Sequence, residues 1–306
     1  MTAALRIGDV AIRQGELHEF TEYQDIQRAV LPVLAVQDGT VKGLGTAVCI
    51  GPGWFVTAKH VIDEHYNNHA TNPDEGSGLY VYLQTDQHPP SEPEAIFGAL
   101  LEVSAINLHT ETDLATMSTQ LPGQTSDWLR HLPLALRMPD VGEPVMFVGY
   151  PGTKVEFEKP EDENPILTIE PHPTVSVGEV LSQEPIRRFQ KYRGSPGFES
   201  DAPGPWGTSG GAVLDAEGQV VGFLSSSMDL GGDPPASSTY AAAVGPVLEL
   251  NVMVPSAASS DEGGEVAQVA HLVMHDHIDC DVYPTFDVDP DGNAFYRVSE
   301  PSTENL

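Results

Sequence analysis

Lysine and arginine are scarce in this chain. Its 306 residues include 14 basic side chains against 45 acidic ones, which gives a formal net charge of −31 at pH 7. Proteins bind the phosphates of nucleic acids through clustered Lys and Arg, so the composition argues against a nucleic-acid partner. The simplest interpretation of the acidity is solubility, or adaptation to a salty cytoplasm.

Cysteine is nearly absent as well, since Cys49 and Cys280 are the only two. Two cysteines so far apart in the chain do not form a disulfide framework. Cys49 lies in an apolar run, where a small buried thiol is expected. Zinc could use the spacing of His271, His275 and His277 with Cys280, but a packed helix end with surface histidines is the simpler interpretation. We therefore predict no metal and no cofactor.

No apolar run is long enough to cross a bilayer, and the first 20 residues carry charges throughout without an apolar segment. A membrane-spanning helix needs about 20 mostly apolar residues, and a signal peptide needs an apolar core. The chain is therefore predicted to be soluble, without a membrane partner, and cytoplasmic. Its hydrophobic content of 40% is that of a folded protein with a sizeable core.

Short strand-like runs separated by Gly and Pro dominate the middle of the chain. The run Val30–Val36 precedes Asp38-Gly39, a dipeptide typical of hairpin turns, and Gly43–Ile50 and Trp54–Thr57 follow it closely. This spacing predicts an all-β sandwich or barrel. Residues 118–143 resemble a connector, so we expect two β units, at about 28–130 and about 140–250.

Three further segments flank this β region. We predict an N-terminal extension at 1–27 that packs on the surface, a linker at 251–264, and a small C-terminal extension of a helix plus a hairpin at 265–306. The tail segment 287–292 resembles the start of a calcium loop, but Val298 stands where such a loop has a bidentate Glu. A hairpin turn at Asp289–Gly292 explains the same residues.

Three residues are suited to nucleophilic catalysis. Ser209 lies in the glycine-rich bend Gly207-Thr-Ser-Gly-Gly211, where backbone N–H groups can converge on one point. A serine attacks only if a base takes its proton and a third group orients that base. His60, at the end of a buried strand, is a candidate base. Asp113, at the start of an apolar strand, is costly to bury unless a histidine N–H bonds it. Taken singly, an ordinary core or surface histidine and a turn-capping aspartate remain the alternatives.

Together these segments resemble a known family. The motifs Phe55–Val61, Asp113–Ala115 and Gly207–Gly211 are similar to the three catalytic motifs of the trypsin/chymotrypsin-like serine peptidases. The glycine-rich strand at Gly43–Ile50 and the turn Gly149–Pro151 resemble the bacterial branch that includes the high-temperature-requirement proteases. The resemblance covers about residues 28–250. It implies two six-stranded antiparallel β-barrels with the active site in the cleft between them, without a peptide-binding domain.

The resemblance also implies a role for each matching residue. Ser209 would attack a carbonyl carbon, and His60 would take its proton and return it to the leaving amine. Asp113 would hold the imidazole in the required tautomer. The backbone N–H groups of Gly207 and Ser209 would form the oxyanion hole.

Further positions concern the specificity pocket and activation. Ser225 matches the serine that supports the catalytic aspartate, and Ser226 and Ser227 would flank the pocket. Pro203 stands where relatives often have the pocket base, so no acidic group is expected to select Arg or Lys, and small or medium apolar residues are favoured.

Thr208 replaces the aspartate with which digestive-type relatives bind a newly cleaved N-terminus. Activation by N-terminal cleavage is therefore not expected.

The sequence thus predicts a serine endopeptidase that cleaves a protein or peptide substrate through an acyl-enzyme intermediate. An intracellular protease needs control, so we expect regulation by a ligand or a protein partner, acting through residues 1–27 or the tail. The alternative hypothesis is a catalytically silent protease fold that serves as a binding or assembly module. The complete triad and the intact bend at Gly207–Gly211 argue against it.

Overall fold

Strands make up most of the fold. The computed structural model describes residues 6–7, 10–20, 25–37, 40–69, 78–84, 98–121, 128–158, 166–184, 196–231, 236–254, 264–282, 284–288 and 294–298. The strands are β1 (Arg6–Ile7), β2 (Val10–Ala11), β3 (Leu17–Glu19), β4 (Val30–Gln37), β5 (Thr40–Gly51), β6 (Trp54–Ala58), β7 (Gly78–Gln84), β8 (Gly98–Leu108), β9 (Leu114–Thr119), β10 (Pro144–Gly149), β11 (Lys154–Glu158), β12 (Ile166–Glu170), β13 (Thr174–Glu184), β14 (Gly197–Ser200), β15 (Ala212–Leu214), β16 (Val220–Gly231), β17 (Ala236–Ala243), β18 (Asn251–Val254), β19 (Glu265–Gln268), β20 (Pro284–Val288) and β21 (Ala294–Val298). The helices are α1 (Lys59–His69) and α2 (Val269–Met274), with short 3-10 turns at Asp25–Arg28 and Gly245–Glu249.

Two closed barrels organise the molecule. In barrel one, all pairs are antiparallel and the strand order is β4-β5-β6-β9-β8-β7. In barrel two the order is β10-β15-β16-β17-β14-β13, and β13 pairs back with β10 to close it. The predicted all-β fold of two six-stranded antiparallel barrels is confirmed.

Strand β10 shows why the barrel strands are unbroken apolar runs. Side chains alternate between the two faces of a strand. Val145 and Phe147 belong to the cluster inside barrel two. Met146 and Val148 belong to a larger cluster that also contains residues of barrel one and of both chain ends. Because both faces of β10 are buried, both sets of positions must be apolar.

The N-terminal segment packs against the barrels through two buried side chains and one short strand. Ile12 and Phe20 are 2% and 6% exposed and join the cluster between the barrels. Strand β3 pairs with β13 in register, with Leu17 opposite Ser176. The sequence predicted an extension that packs on the surface. Its pairing with β13 was not foreseen, because the short apolar pattern does not reveal an unpaired edge of β13.

The C-terminal segment packs against the same cluster. The predicted linker at 251–264 begins with a strand, because β18 pairs with β19, and residues 255–263 lie outside the described part of the chain. The Trp54 indole donates a hydrogen bond to the Met253 carbonyl at 2.9 Å, which ties β18 to barrel one. Strands β20 and β21 form the predicted hairpin. Residues 289–293, which include the predicted turn and part of the candidate calcium loop, lie outside the described residues.

No helix within the described residues combines the length and apolar character needed to cross a membrane.

Candidate active site

Barrel one brings His60 and Asp113 together. His60 is the second residue of α1, directly after β6, and Asp113 immediately precedes β9. Because β6 pairs with β9, with Ala58 opposite Leu114, the two residues emerge side by side at the same barrel end. His60 Nδ1 lies 2.8 Å from Asp113 Oδ2, and the His60 backbone N–H donates to Asp113 Oδ1 at 3.0 Å.

The Asp113 carboxylate is largely buried, with 12% of its side chain exposed. Burying a carboxylate is costly unless its oxygens accept hydrogen bonds. Here Oδ1 accepts the His60 N–H, and Oδ2 accepts from the imidazole and from the Ser225 hydroxyl. Ser225 comes from β16 of barrel two, so the aspartate is held by both barrels.

The hydrogen bond to Asp113 decides which ring nitrogen of His60 can accept a proton. When Nδ1–H donates to Asp113, neutral imidazole carries its lone pair on Nε2. Nε2 has no hydrogen-bond partner among the described residues. Burial lowers the pKa of His60, but the hydrogen bond and charge of Asp113, with the charges of Glu64 and Asp63, outweigh it and raise the pKa above its ordinary 6.5.

Ser209 lies across the cleft, in the tight bend before β15. It lines the same cavity as His60 and Asp113, which has a volume of about 740 Å³. Its hydroxyl donates to the Ser225 carbonyl at 3.4 Å, and among the described residues it makes no hydrogen bond to His60. The structure therefore brings the three predicted residues to one cavity, with the serine hydroxyl turned toward barrel two.

The bend around Ser209 requires glycine at two positions. Gly207 and Gly210 have φ of +92° and +83°, a region that L-residues with a side chain rarely adopt. A Cβ on Gly207 would lie 3.0 Å from the Pro151 Cα, and one on Gly210 would overlap the Thr46 carbonyl. These two glycines thus let the bend pack closely against neighbouring backbone.

Two N–H groups of this bend are available to a ligand. The N–H groups of Thr208, Gly210 and Gly211 donate to backbone carbonyls. Those of Gly207 and Ser209 donate to no group in the described part of the chain. Two free donors beside a serine hydroxyl are suited to binding an oxygen that carries negative charge.

Of the four predicted pocket residues, three line the cavity and one does not. Ser225, Ser226 and Ser227 line it along β16, opposite the loop that carries Trp206, which is 88% exposed. Pro203 does not line the cavity, and its carbonyl accepts the Ser176 hydroxyl at 2.6 Å. Gly204 and Thr239 are there instead, which the pattern of short strands did not reveal.

Three acidic side chains that line the cavity were not predicted from the sequence. Asp63, Glu64 and Glu111 line it around His60. Asp63 and Glu64 follow His60 on α1, so the helical spacing was a signal that could have found them.

Histidines and acidic residues do not cluster as a metal site in the described residues. The rings of His271 and His275 are 4.4 Å apart at one face of α2. Within the described ranges, however, no group of three His, Cys, Asp or Glu side chains is arranged to hold a metal ion.

Comparisons with known proteins found similar solved structures and a matching family model. Two solved structures of the Rv3671c protease from M. tuberculosis are similar: the active form (19% identity, 72% of this chain and 78% of that chain, TM-score 0.44) and an inactive Ser-to-Ala mutant form (18%, 72% and 83%, 0.44). No curated protein sequence matches the chain. The family model for the trypsin-like peptidase domain matches residues 45–223, which is more than half of the chain. By that match the chain belongs to the family of trypsin-like peptidase domains.

Proposed function

We propose that this protein is a serine endopeptidase that uses Ser209 as nucleophile, His60 as general base and Asp113 as the group that orients the base. The observation that carries the proposal is the 2.8 Å contact of His60 Nδ1 with Asp113 beside a cavity that Ser209 also lines. Nucleophile, base and orienting carboxylate are the parts that acyl transfer requires. Membership of the trypsin-like peptidase family supports the same reaction.

In the first half of the reaction, the Ser209 hydroxyl turns from the Ser225 carbonyl toward His60 Nε2. Nε2 takes the hydroxyl proton as Oγ attacks the substrate carbonyl carbon. The resulting oxyanion accepts hydrogen bonds from the N–H groups of Gly207 and Ser209. When the intermediate collapses, the C–N bond breaks and the imidazolium gives its proton to the leaving amine, which leaves an acyl-enzyme.

In the second half, water replaces the amine. His60 takes a proton from the water, whose oxygen attacks the ester carbonyl, and then returns that proton to Ser209 as the acid product leaves. Asp113 keeps Nδ1 protonated throughout and stabilises the imidazolium. Each free N–H donor of the oxyanion site contributes about 3–4 kcal/mol to the transition state in proteases of this kind.

The Ser209 hydroxyl is not oriented for attack in the structure, and we propose that a bound substrate or other ligand reorients it. Its hydroxyl bonds the Ser225 carbonyl in the structure and must reorient before it can attack. Binding of substrate in the cavity would displace that bond and complete the site. Hydrogen bonds of apo active sites often form only in the substrate complex, so this arrangement is compatible with an active enzyme.

Labelling with a fluorophosphonate probe tests the proposal. We expect wild-type protein to be labelled at Ser209, and both Ser209→Ala and His60→Ala to lose labelling. Ser104→Ala is the control, because Ser104 lies on β8 away from the cavity and should leave labelling unchanged. Absence of labelling in the wild type, with and without added peptides, would favour the silent binding module instead.

A further inference from the structure

We infer that Thr46 is a positioning residue for the proposed reaction: through its hydroxyl and its backbone N–H, barrel one holds the bend around Ser209 in shape. The inference rests on the proposed function, because it concerns how the oxyanion donors of that reaction are kept in place. Thr46 does not line the cavity, so it acts through the bend rather than on a substrate.

Thr46 makes a dense set of contacts across the two barrels. Its N–H donates to the Ser209 carbonyl at 2.8 Å, and its hydroxyl donates to the Gly207 carbonyl at 3.0 Å. The same hydroxyl accepts the Tyr150 N–H at 2.9 Å. Thr46 is 0% exposed, so no water replaces these bonds. A hydroxyl has one proton and accepting lone pairs, and both functions are used here.

The contacts fix the peptide units on both sides of the Ser209 N–H and the unit next to the one that carries the Gly207 N–H. The Gly207 carbonyl and the Ser209 carbonyl both bond Thr46, so the peptide units that follow these residues cannot turn over. Gly207 has φ of +92°, and a glycine can leave that region at little steric cost. A hydrogen bond to its carbonyl fixes the peptide unit on one side of the Gly207 Cα, and so restrains the neighbouring unit that carries the Gly207 N–H.

The Thr46 backbone is itself held by a hydrogen bond from the strand that precedes His60. Its carbonyl accepts the Thr57 hydroxyl at 2.7 Å, and Thr57 lies on β6, two residues before α1 and three before His60. The strand that positions the base and the bend that carries the nucleophile thus meet at Thr46. Loss of its hydroxyl would also leave the buried Tyr150 N–H without its acceptor.

The test compares variants that differ in one hydroxyl. Thr46→Val keeps the shape and removes the hydroxyl, Thr46→Ala does so with less bulk, and Thr46→Ser keeps the hydroxyl. Thr116→Val is the matched control, since it removes another buried hydroxyl of barrel one, which bonds the Asn251 carbonyl at 2.6 Å away from the cavity. The readouts are the maximal rate and the half-saturating concentration of fluorophosphonate labelling, with thermal denaturation to report stability.

We expect Thr46→Val and Thr46→Ala to reduce the maximal labelling rate at least about tenfold, because loss of a single oxyanion donor costs about a hundredfold or more. The half-saturating concentration should change less than about twofold, since the cavity walls are intact. Thr46→Ser should restore most of the rate. Thr116→Val should lower the melting temperature comparably and keep the rate.

Two results would overturn the inference alone. One is a wild-type labelling rate in both hydroxyl-free variants. The other is a rate loss in Thr116→Val equal to that in Thr46→Val, which would show that general destabilisation is responsible. If the wild type itself is never labelled, the proposed function fails, and the inference fails with it. Thr46→Ala keeps the test decisive if Thr46→Val does not fold.

Discussion

At the scale of single residues, the charge state of His60 governs the proposed chemistry. A general base acts only when it is unprotonated. Burial lowers the pKa of His60, but Asp113, Glu64 and Asp63 together raise it above 6.5. The protonated, inactive form therefore persists to higher pH than for an ordinary histidine. The acidic residues at the cavity thus set the lower limit of the working pH range.

We predict that the labelling rate of Ser209 falls as pH decreases through a midpoint above 6.5. The double variant Asp63→Asn with Glu64→Gln removes two charges that favour the imidazolium, so its midpoint should move to lower pH. The measurement is the labelling rate as a function of pH. Glu102→Gln, on the exposed face of β8, is a control that removes one charge away from the cavity and should leave the midpoint in place. A midpoint unaffected by the double variant would contradict the role assigned to these carboxylates.

At the scale of elements, strand β3 adds a seventh strand to the sheet of barrel two. β3 occupies the open edge of β13 and lies opposite its first residues, next to the strand pair β10–β13 that closes the barrel. Phe20 is buried immediately after β3, and its N–H donates to the Pro173 carbonyl at 2.9 Å. The N-terminal segment therefore contributes to stability through burial of apolar surface as well as through pairing.

Phe20→Ala should destabilise the protein by about 3–5 kcal/mol, because it removes a buried aromatic ring from the core and leaves a cavity. Leu17→Ala, in the same segment but 48% exposed, should cost well under that amount. Chemical denaturation of both variants measures the free energy of unfolding. Equal effects of the two substitutions would show that pairing of β3, rather than burial of Phe20, holds the segment.

At the scale of the whole molecule, the large net negative charge opposes folding into a compact state. With a net charge of −31, the acidic side chains repel one another across the folded surface. Few ion pairs offset it within the described residues. The largest group joins Arg137 to Glu143 at 2.6 Å and to Asp215 at 2.8 Å, with the Asp215 side chain 1% exposed. Most carboxylates must therefore be stabilised by water and counterions.

The melting temperature should rise with added KCl, because the screening length shortens from about 10 Å at 0.1 M to about 3 Å at 1 M. Thermal denaturation across a KCl series is the measurement. A rise that levels off once the charges are screened identifies repulsion as the cause, whereas a steady linear rise indicates exclusion of salt from the surface. An unchanged melting temperature would show that the native fold spaces its charges widely enough to avoid the penalty.

Much of the architecture could be predicted from the sequence because its signals are local. Short apolar runs such as Trp54–Ala58, closely spaced and interrupted by Gly and Pro turns, indicate an all-β sandwich or barrel. The candidate catalytic residues lie in short contiguous motifs, so His60, Asp113 and Ser209 could be proposed without coordinates. The chain order of these motifs was enough to identify the family.

Other features depended on contacts between distant parts of the chain. The sequence around Ile12 and Phe20 does not show that β13 has an open edge, and nothing near Pro203 shows that Gly204 and Thr239 line the cavity instead. Thr46 is one polar residue in a strand until the fold places its hydroxyl 3.0 Å from the Gly207 carbonyl, 161 positions later. The direction of the Ser209 hydroxyl was decided in the same way, by the Ser225 carbonyl of another strand.

The sequence by itself determined the period of the strands, the positions of the turns and the identity of the reactive groups, because these follow from neighbouring residues and their conformational preferences. Only the tertiary structure decided which buried hydroxyl meets which carbonyl and that Glu111 lines the same cavity as His60. Hydrogen bonds and charge interactions act over a few ångströms, and closing two barrels against each other brings together groups that the sequence separates by a hundred residues or more.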